Sequence, residues 1–409
     1  MILKLAWRNI WRNKTRSFVI MTAITLGIIA SLFLDAFALG MVRSFIENSI
    51  EKVTSHIQIH NTDYLNDEDI KNYIEGSVDI VADINTIEEV KGVAARGMVN
   101  AMISSSRTSQ NVVIKAIDLK EEASVNNMPE LVEDGNFLND DSRNKILIGT
   151  RLADRLSIKT GSKAVLTFMD MDKEITAGLF RVVGMYDSGN NNYDEVNVFM
   201  LKKDLLNTMD PAGEANFIPE HQIAIILKDK EKIYETLDKL KSKYPTLDVQ
   251  AYNTIAPELG LYESQMDFIT WFYFIIIMLA LIFGIINTML MAVLDRYKEF
   301  GVLMSVGLGK AKLFSLIMLE TIMLCLVAAP LGMLIGYLLI SYFSQQGINM
   351  SMWSEMLEEY GMLPIVYPEV NALSFYRLTF ILVVTAIIAA LYPAWKAIKL
   401  NPLEAIRKI

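Results

Sequence analysis

Residues 268–294 run for 27 positions without a single charged side chain, and a second apolar run, 313–343, follows after a short polar interruption. The second run carries one charge, Glu320. About 20 apolar residues cross the ~30 Å hydrocarbon core of a bilayer at a rise of 1.5 Å per residue. Each run therefore predicts a membrane span, and residues 295–312 a loop between them. The loop carries Arg296, Lys298, Lys310 and Lys312, which the positive-inside rule assigns to the cytoplasm. Whatever this chain folds into has to accommodate that pair of spans.

Composition widens the picture. The chain has 409 residues, 52% of them hydrophobic, with a mean hydropathy of +0.31. It is also 21% charged, too polar for a bundle of membrane helices alone, so spans plus a sizeable aqueous domain are predicted. A net charge of −9 argues against nucleic acid as a partner. The lone cysteine, Cys325, lies inside an apolar run, so no disulfide or cysteine metal site organises the fold. The N-terminus does not read as a cleavable signal: its apolar run continues for 23 residues with no clean small-residue cleavage site.

In chain order, residues 1–17 hold Lys4, Arg8, Arg12, Lys14 and Arg16 and no acid. Leu3, Trp7, Ile10 and Trp11 recur at helical spacing, predicting a helix in the cytoplasmic interface with its tryptophans at headgroup level. Residues 18–40 form the first span, and Asp35 near its outer end is read as interfacial or as facing another helix. Residues 41–266 follow without a span, so a cytoplasmic N-terminus places this domain outside. β-type runs at 56–60, 112–117, 165–168, 181–186, 196–200 and 223–227, with helical patterns at 84–90, 149–156 and 229–244, make it α+β.

The remaining spans are 267–294, 313–343 and 374–392. They are separated by the loop 295–312 and by residues 344–373, which carry acids but no Lys or Arg and are read as outside. Trp353, Tyr360 and Tyr367 fit an interfacial loop there. Gly332 and Gly336, four apart, predict a close helix–helix approach, and Pro330 a kink. The basic tail 393–409 returns to the cytoplasm. The fold class is thus an α-helical membrane protein with four transmembrane helices plus a large α+β extracytoplasmic domain.

Chemistry is sparse. His56 and His60 sit four apart in a strand, ~13 Å between Cα atoms at 3.3 Å per residue; that is too far to share a metal, and His221 stands alone. No catalytic pattern appears in residues 41–266. Gly309-Lys310 looks like the end of a phosphate-cradling loop, but the motif needs glycine where Met304 stands and a hydroxyl where Ala311 stands. If energy is used, another subunit supplies it. The loop suits such a subunit. Asp295, Arg296, Lys298 and Glu299 end a span, Gly301, Gly307 and Gly309 let the chain turn, and Val302, Leu303 and Val306 give a short helix an apolar side for a partner's groove.

These residues carry a resemblance. Arg296, Glu299, Gly301, Leu303 and Gly307, at their spacing, resemble the loop between the second and third spans of FtsX-like ABC permeases. The tail Pro393, Ala394, Lys396, Ala397, Asn401, Pro402, Glu404, Ala405 and Arg407 is similar to that family's cytoplasmic end. The start from Ala6 through Trp7, Arg8, Asn9, Ile10, Arg12, Asn13 and Lys14 to Arg16 resembles its N-terminal helix. Residues 149–161 look like part of a MacB-type periplasmic core.

The resemblance implies a non-catalytic permease subunit of the inner (plasma) membrane, paired with a second copy or a paralogue. Each copy would be bound through its loop helix to a subunit of a separate ATPase dimer. ATP and Mg would be held by that ATPase, with no cofactor in this chain. Movements would pass through the spans to the outer domain by mechanotransmission. It makes Arg296, Glu299, Gly301, Val302, Leu303, Val306 and Gly307 the coupling element, with 403–407 a second contact.

Three functions follow from the resemblance. Lipoprotein release of the Lol type, with a lipoprotein substrate, a periplasmic carrier and membrane lipids as partners, is favoured by the four-span chain without a fused ATPase. MacB-like export of peptides or small molecules from the periplasm is the alternative. FtsX-type regulation of cell-wall hydrolases is disfavoured by the size of the outer domain. Under the first, Phe33, Phe37, Phe272 and Phe274 are expected to line a lipid groove between the first two spans.

Overall fold

A computed structural model describes residues 2–140, 143–210, 217–359 and 362–399. The expected second contact at 403–407, and Tyr360, lie outside the described residues. The chain divides into two compact units: Met1–Val42, Glu263–Asn349 and Ile365–Ile409 form one, Arg43–Tyr262 with Met350–Pro364 the other.

The first unit is helical. Among the described residues, four helices are long and apolar enough to cross a membrane, and they run over Lys14–Ser49, Pro257–Asp295, Lys310–Gln346 and Ala372–Ile398. All four predicted spans fall within them, although the first two helices run well beyond the expected bounds. At 1.5 Å per residue, 36 and 39 residues reach about 54 and 58 Å, against a hydrocarbon core of ~30 Å. Two of the second unit's boundaries, after Val42 and after Tyr262, fall inside these two helices.

Hydrophobic burial gives helices in lipid little reason to associate, so close packing through small residues and buried polar contacts has to do it. The helical unit shows both. Gly332 and Gly336 of the third long helix meet the first. A Cβ on Gly332 would lie 2.9 Å from Ile28 Cβ, and one on Gly336 3.1 Å from Leu32 Cδ1. The fourth long helix buries Ala386, Ala389, Ala390, Ala394 and Ala397. Asp35 is buried and accepts a 2.7 Å hydrogen bond from Thr270 Oγ1, so it faces another helix. The third long helix runs unbroken through Pro330.

A short N-terminal helix, Ile2–Arg12, precedes the first long one. The expected single stripe of Leu3, Trp7, Ile10 and Trp11 divides. Ile10 is buried with Ala6, whereas Leu3, Trp7 and Trp11, each four residues from the next, form an exposed row. The two tryptophans meet edge to face at 5.9 Å.

The second unit is built on a ten-stranded sheet. Its strands are β1 (Ile57–Asn61), β2 (Val90–Ser104), β3 (Ser109–Ile117), β4 (Val132–Gly135), β5 (Lys145–Gly149), β6 (Lys163–Met169), β7 (Ile175–Tyr186), β8 (Asn197–Leu201), β9 (Gln222–Leu227) and β10 (Leu247–Ala251). They run in the order β10-β1-β9-β2-β3-β8-β5-β7-β4, with β6 pairing β2 and β7. All six β-type runs became strands.

The helix expected at 84–90 did not form: helix Ser77–Ile84 ends there and Val90 opens β2. β2 escapes period-two detection because it is buried on both faces from Gly92 to Gly97, and it fills that tight space with Gly92, Ala94, Ala95 and Gly97. A Cβ on Gly92 would collide with the Ser124 carbonyl, so glycine there permits a close backbone approach.

His221 is not alone. Its carbonyl lies 2.9 Å from His60 Nδ1, and Tyr64 stacks on His60 at 5.5 Å and tilts against His221 at 5.1 Å. Among the described residues no group of three His, Cys, Asp or Glu is placed to hold a metal.

Candidate coupling site at the bridge helix

The polar interruption folds as a helix, Tyr297–Ser305, between the second and third long helices. Its end is set by Gly307, whose φ of +101° suits glycine alone. The N–H of Gly307 donates to the Met304 carbonyl at 3.1 Å, and that of Leu308 to the Leu303 carbonyl at 2.9 Å. This pair of bonds is the Schellman closure of a helix. Gly309 then caps the third long helix.

The helix has two unlike sides. Phe300 and Gly301 are buried, and Leu303, Met304 and Leu308 pack on the core of the helical unit. Val302 is 53% exposed and Val306 82%. They lie four residues apart, hence on one face. Of the three valine and leucine side chains expected to form a free apolar side, Leu303 belongs to the packed face, because it lies three residues after Phe300.

A charge cluster anchors this helix. Arg296 Nε contacts Glu299 Oε2 at 3.1 Å, and its Nη1 reaches Glu320 Oε2 at 3.2 Å. Arg16 Nη2 holds the other oxygen of Glu320 at 3.1 Å, while Arg12 pairs with Glu299. Arg296 also lies over the Phe300 ring, 5.0 Å from its centroid. Burial pushes the Glu299 carboxyl up, but hydrogen bonds from Arg12 and Arg296 outweigh it and hold the group below its ordinary range. The cluster thus ties the N-terminal helix, the first and third long helices and the bridge helix together.

From sequence, Glu320 stood out only as the one charge in its apolar run, and Arg12 and Arg16 as basic residues at the cytoplasmic interface. The available signal was a carboxylate in an apolar run, since such a group needs a counter-charge.

The proposed groove liners do not converge. Phe274 is fully buried, in register with Met278, Ile285 and Met289, whereas Phe272 is exposed. Residues two apart on a helix point to different sides, so the two cannot share a groove. Phe33 is half-buried, edge to face with Phe343 at 5.8 Å, and Phe37 is half-buried too. An apolar cavity of about 280 Å³ lies elsewhere between the first two long helices, lined by Val19, Ile20, Gly27, Leu281, Gly284 and Thr288 among others.

Comparison with known proteins agrees with this architecture. The FtsX-like permease C-terminal family matches residues 271–402, and the MacB-like periplasmic core domain matches residues 17–243. These matches define a class: a membrane chain with an α/β periplasmic-type domain between its first two apolar helices. The chain belongs to the FtsX-like, MacB-type family of ABC transporter permeases.

Among its relatives, the lipoprotein-releasing system transmembrane protein LolC of Buchnera aphidicola subsp. Schizaphis graminum is 24% identical over 63% of this chain and 62% of its own length. The macrolide export ATP-binding/permease protein MacB of Campylobacter jejuni is 22% identical over 99% of this chain and 61% of its own. The chain therefore spans about three fifths of these relatives. The crystal structure of the periplasmic region of MacB from Actinobacillus actinomycetemcomitans aligns with 53% of this chain and 97% of its own at 13% identity, TM-score 0.35.

Proposed function

We propose that this chain is the membrane subunit of an ABC transporter, with both termini cytoplasmic and the β-rich unit periplasmic, and that an ATPase docks on the outward face of the bridge helix. The observation that supports it most is the division of that helix. One side is fixed by Phe300, Leu303 and the Arg296–Glu299–Glu320 contacts, and the other presents Val302 and Val306 four residues apart. Two apolar anchors at that spacing on a rigidly held helix fit a partner's groove. ATP-driven movement of the partner would enter through this helix and pass along the first two long helices, which cross the boundary of the β-rich unit without a break.

For the cargo, we infer release of lipoproteins from the inner membrane for transfer to a carrier, a reading supported by the LolC relative. Export from the periplasm is the second reading, favoured by the MacB relative that aligns along 99% of this chain.

The test is co-purification in nanodiscs with mass spectrometry of what is retained. An ATPase retained by the wild type and lost from Val302→Asp and Val306→Asp is the expected result. Retention by both variants would reject the docking face. Acylated lipoproteins in the same sample support release; a periplasmic adaptor without them supports export.

A further inference from the structure

The β-rich unit holds a cavity of about 360 Å³ bordered by Lys52, Lys91, Lys228 and Lys230, with His56 in its wall. His56 is only 3% exposed. Its Nδ1 accepts the Leu227 backbone N–H at 3.1 Å, so the neutral ring carries its proton on Nε2. That Nε2 is buried and has no hydrogen-bond partner among the described residues. An unmade bond at a buried donor costs about 1–3 kcal/mol, and such a donor in the wall of a cationic cavity points to an acceptor that fills it. Burial first, then the charges of Lys230 and Lys91, push the His56 ring down to about 4; the imidazole is therefore neutral, a hydrogen-bond donor in a positive field.

Three of the lysines have protein contacts. Lys52 Nζ reaches the Ser188 carbonyl at 3.1 Å, Lys228 Nζ the Glu88 carbonyl at 2.7 Å, and Lys230 Nζ pairs with Glu47 at 2.6 Å. Lys91 is exposed, with no ion pair among the described residues. Glu51 and Glu130 also border the cavity and Glu47 holds Lys230, leaving four ammonium groups against three carboxylates. That balance suits an acceptor of low charge better than a polyanion.

We propose that this cavity binds a phosphate-type oxyanion, held by His56 Nε2–H and by Lys91 with its neighbouring lysines. A phospholipid headgroup and free phosphate offer the same chemistry, and the site shares no residue with the bridge helix.

The test is isothermal titration of the full chain in phosphatidylcholine nanodiscs. One arm uses inorganic phosphate and the other a water-soluble short-chain phosphatidylglycerol. Saturable binding in either arm, weakened at least about tenfold by Lys91→Glu and by His56→Phe and relieved by added salt, is the expected result. The tighter arm names the source. Because His56→Phe removes a buried hydrogen bond and can perturb the fold, the exposed Lys91→Glu and Lys228→Glu variants stand independently. Absence of binding in both arms, or binding unchanged in Lys91→Glu and Lys228→Glu, overturns the proposal.

Discussion

Replacing Glu320 by Gln keeps the side-chain volume and removes the charge that two arginines share. The Glu320 side chain is 3% exposed and those of Arg16 and Arg296 11% each. Two charges 4 Å apart attract by about 4 kcal/mol at an effective dielectric of 20, and breaking a buried pair costs about 3–5 kcal/mol because the survivor is stranded. Arg296 retains Glu299, whereas Arg16 makes no second ion pair among the described residues, Asp295 acting on it only at longer range, and its Nε is already without a hydrogen-bond partner there. We therefore expect Glu320→Gln to destabilise the helical unit by about 2–4 kcal/mol.

Arg16→Met on that background should restore part of the loss, because it removes the stranded guanidinium. The pair Arg12–Glu299 is the internal control: its side chains are 53% and 46% exposed, so Arg12→Ala should cost no more than about 1 kcal/mol. Equilibrium unfolding in mixed micelles of increasing SDS fraction, read by tryptophan fluorescence, gives all three values. The reasoning fails if Glu320→Gln costs less than about 1 kcal/mol, or if the double variant is less stable than Glu320→Gln alone.

Gly332→Leu drives a side chain into Ile28 of the first long helix and should cost about 1–3 kcal/mol in the same unfolding assay, whereas Gly284→Leu, with nothing within 4 Å, should be close to neutral. Gly307→Ala forces a side chain onto a φ of +101°. It should fray the bridge helix by about 1–2 kcal/mol, visible as faster amide exchange at Leu308.

The β-rich unit should loosen in acid. Burial holds His56 and His60 at about 4, below the unfolded 6.5, so their stabilisation is complete above pH 6.5 and is lost as pH falls towards 4. Asp194, pushed up to about 7 by burial, works the other way and gains one proton in the same window. Two protons against one leave these three groups a net loss of about 1.4 kcal/mol per pH unit; His221, also held below its ordinary value by burial, adds to it, and Asp204, pushed up by burial, opposes it. Hydrogen exchange of Ile57–Asn61, corrected for intrinsic rate, checks this, and protection that is flat from pH 7 to 5 refutes it.

The long helices were legible because hydropathy over 20 residues is a one-dimensional property, and the same holds for β1, β3 and β9 with their β-branched runs. The length of the first two helices was not, since residues 41–49 and 257–266 are polar enough to read as loop. β2 hid behind its alanines and glycines, whose value lies in what packs against them. The candidate coupling site was half legible. The spacing of Val302 and Val306 is visible in sequence, but the contact of Glu320 with Arg16 joins residues 304 apart, and only the folded chain sorts Leu303 from its neighbours. Phe274 failed for a simpler reason: the groove assignment ignored helical phase.

The shared carboxylate also bears on how the chain is made. Arg16 and Arg296 precede Glu320 by 304 and 24 residues. At about 5–20 residues per second, both guanidiniums exist at least a second before Glu320 leaves the ribosome. The third long helix therefore enters the bilayer with its counter-charges already waiting. A permuted chain that began at the third long helix would present that carboxylate bare, against an insertion penalty of about 2.5–3.5 kcal/mol.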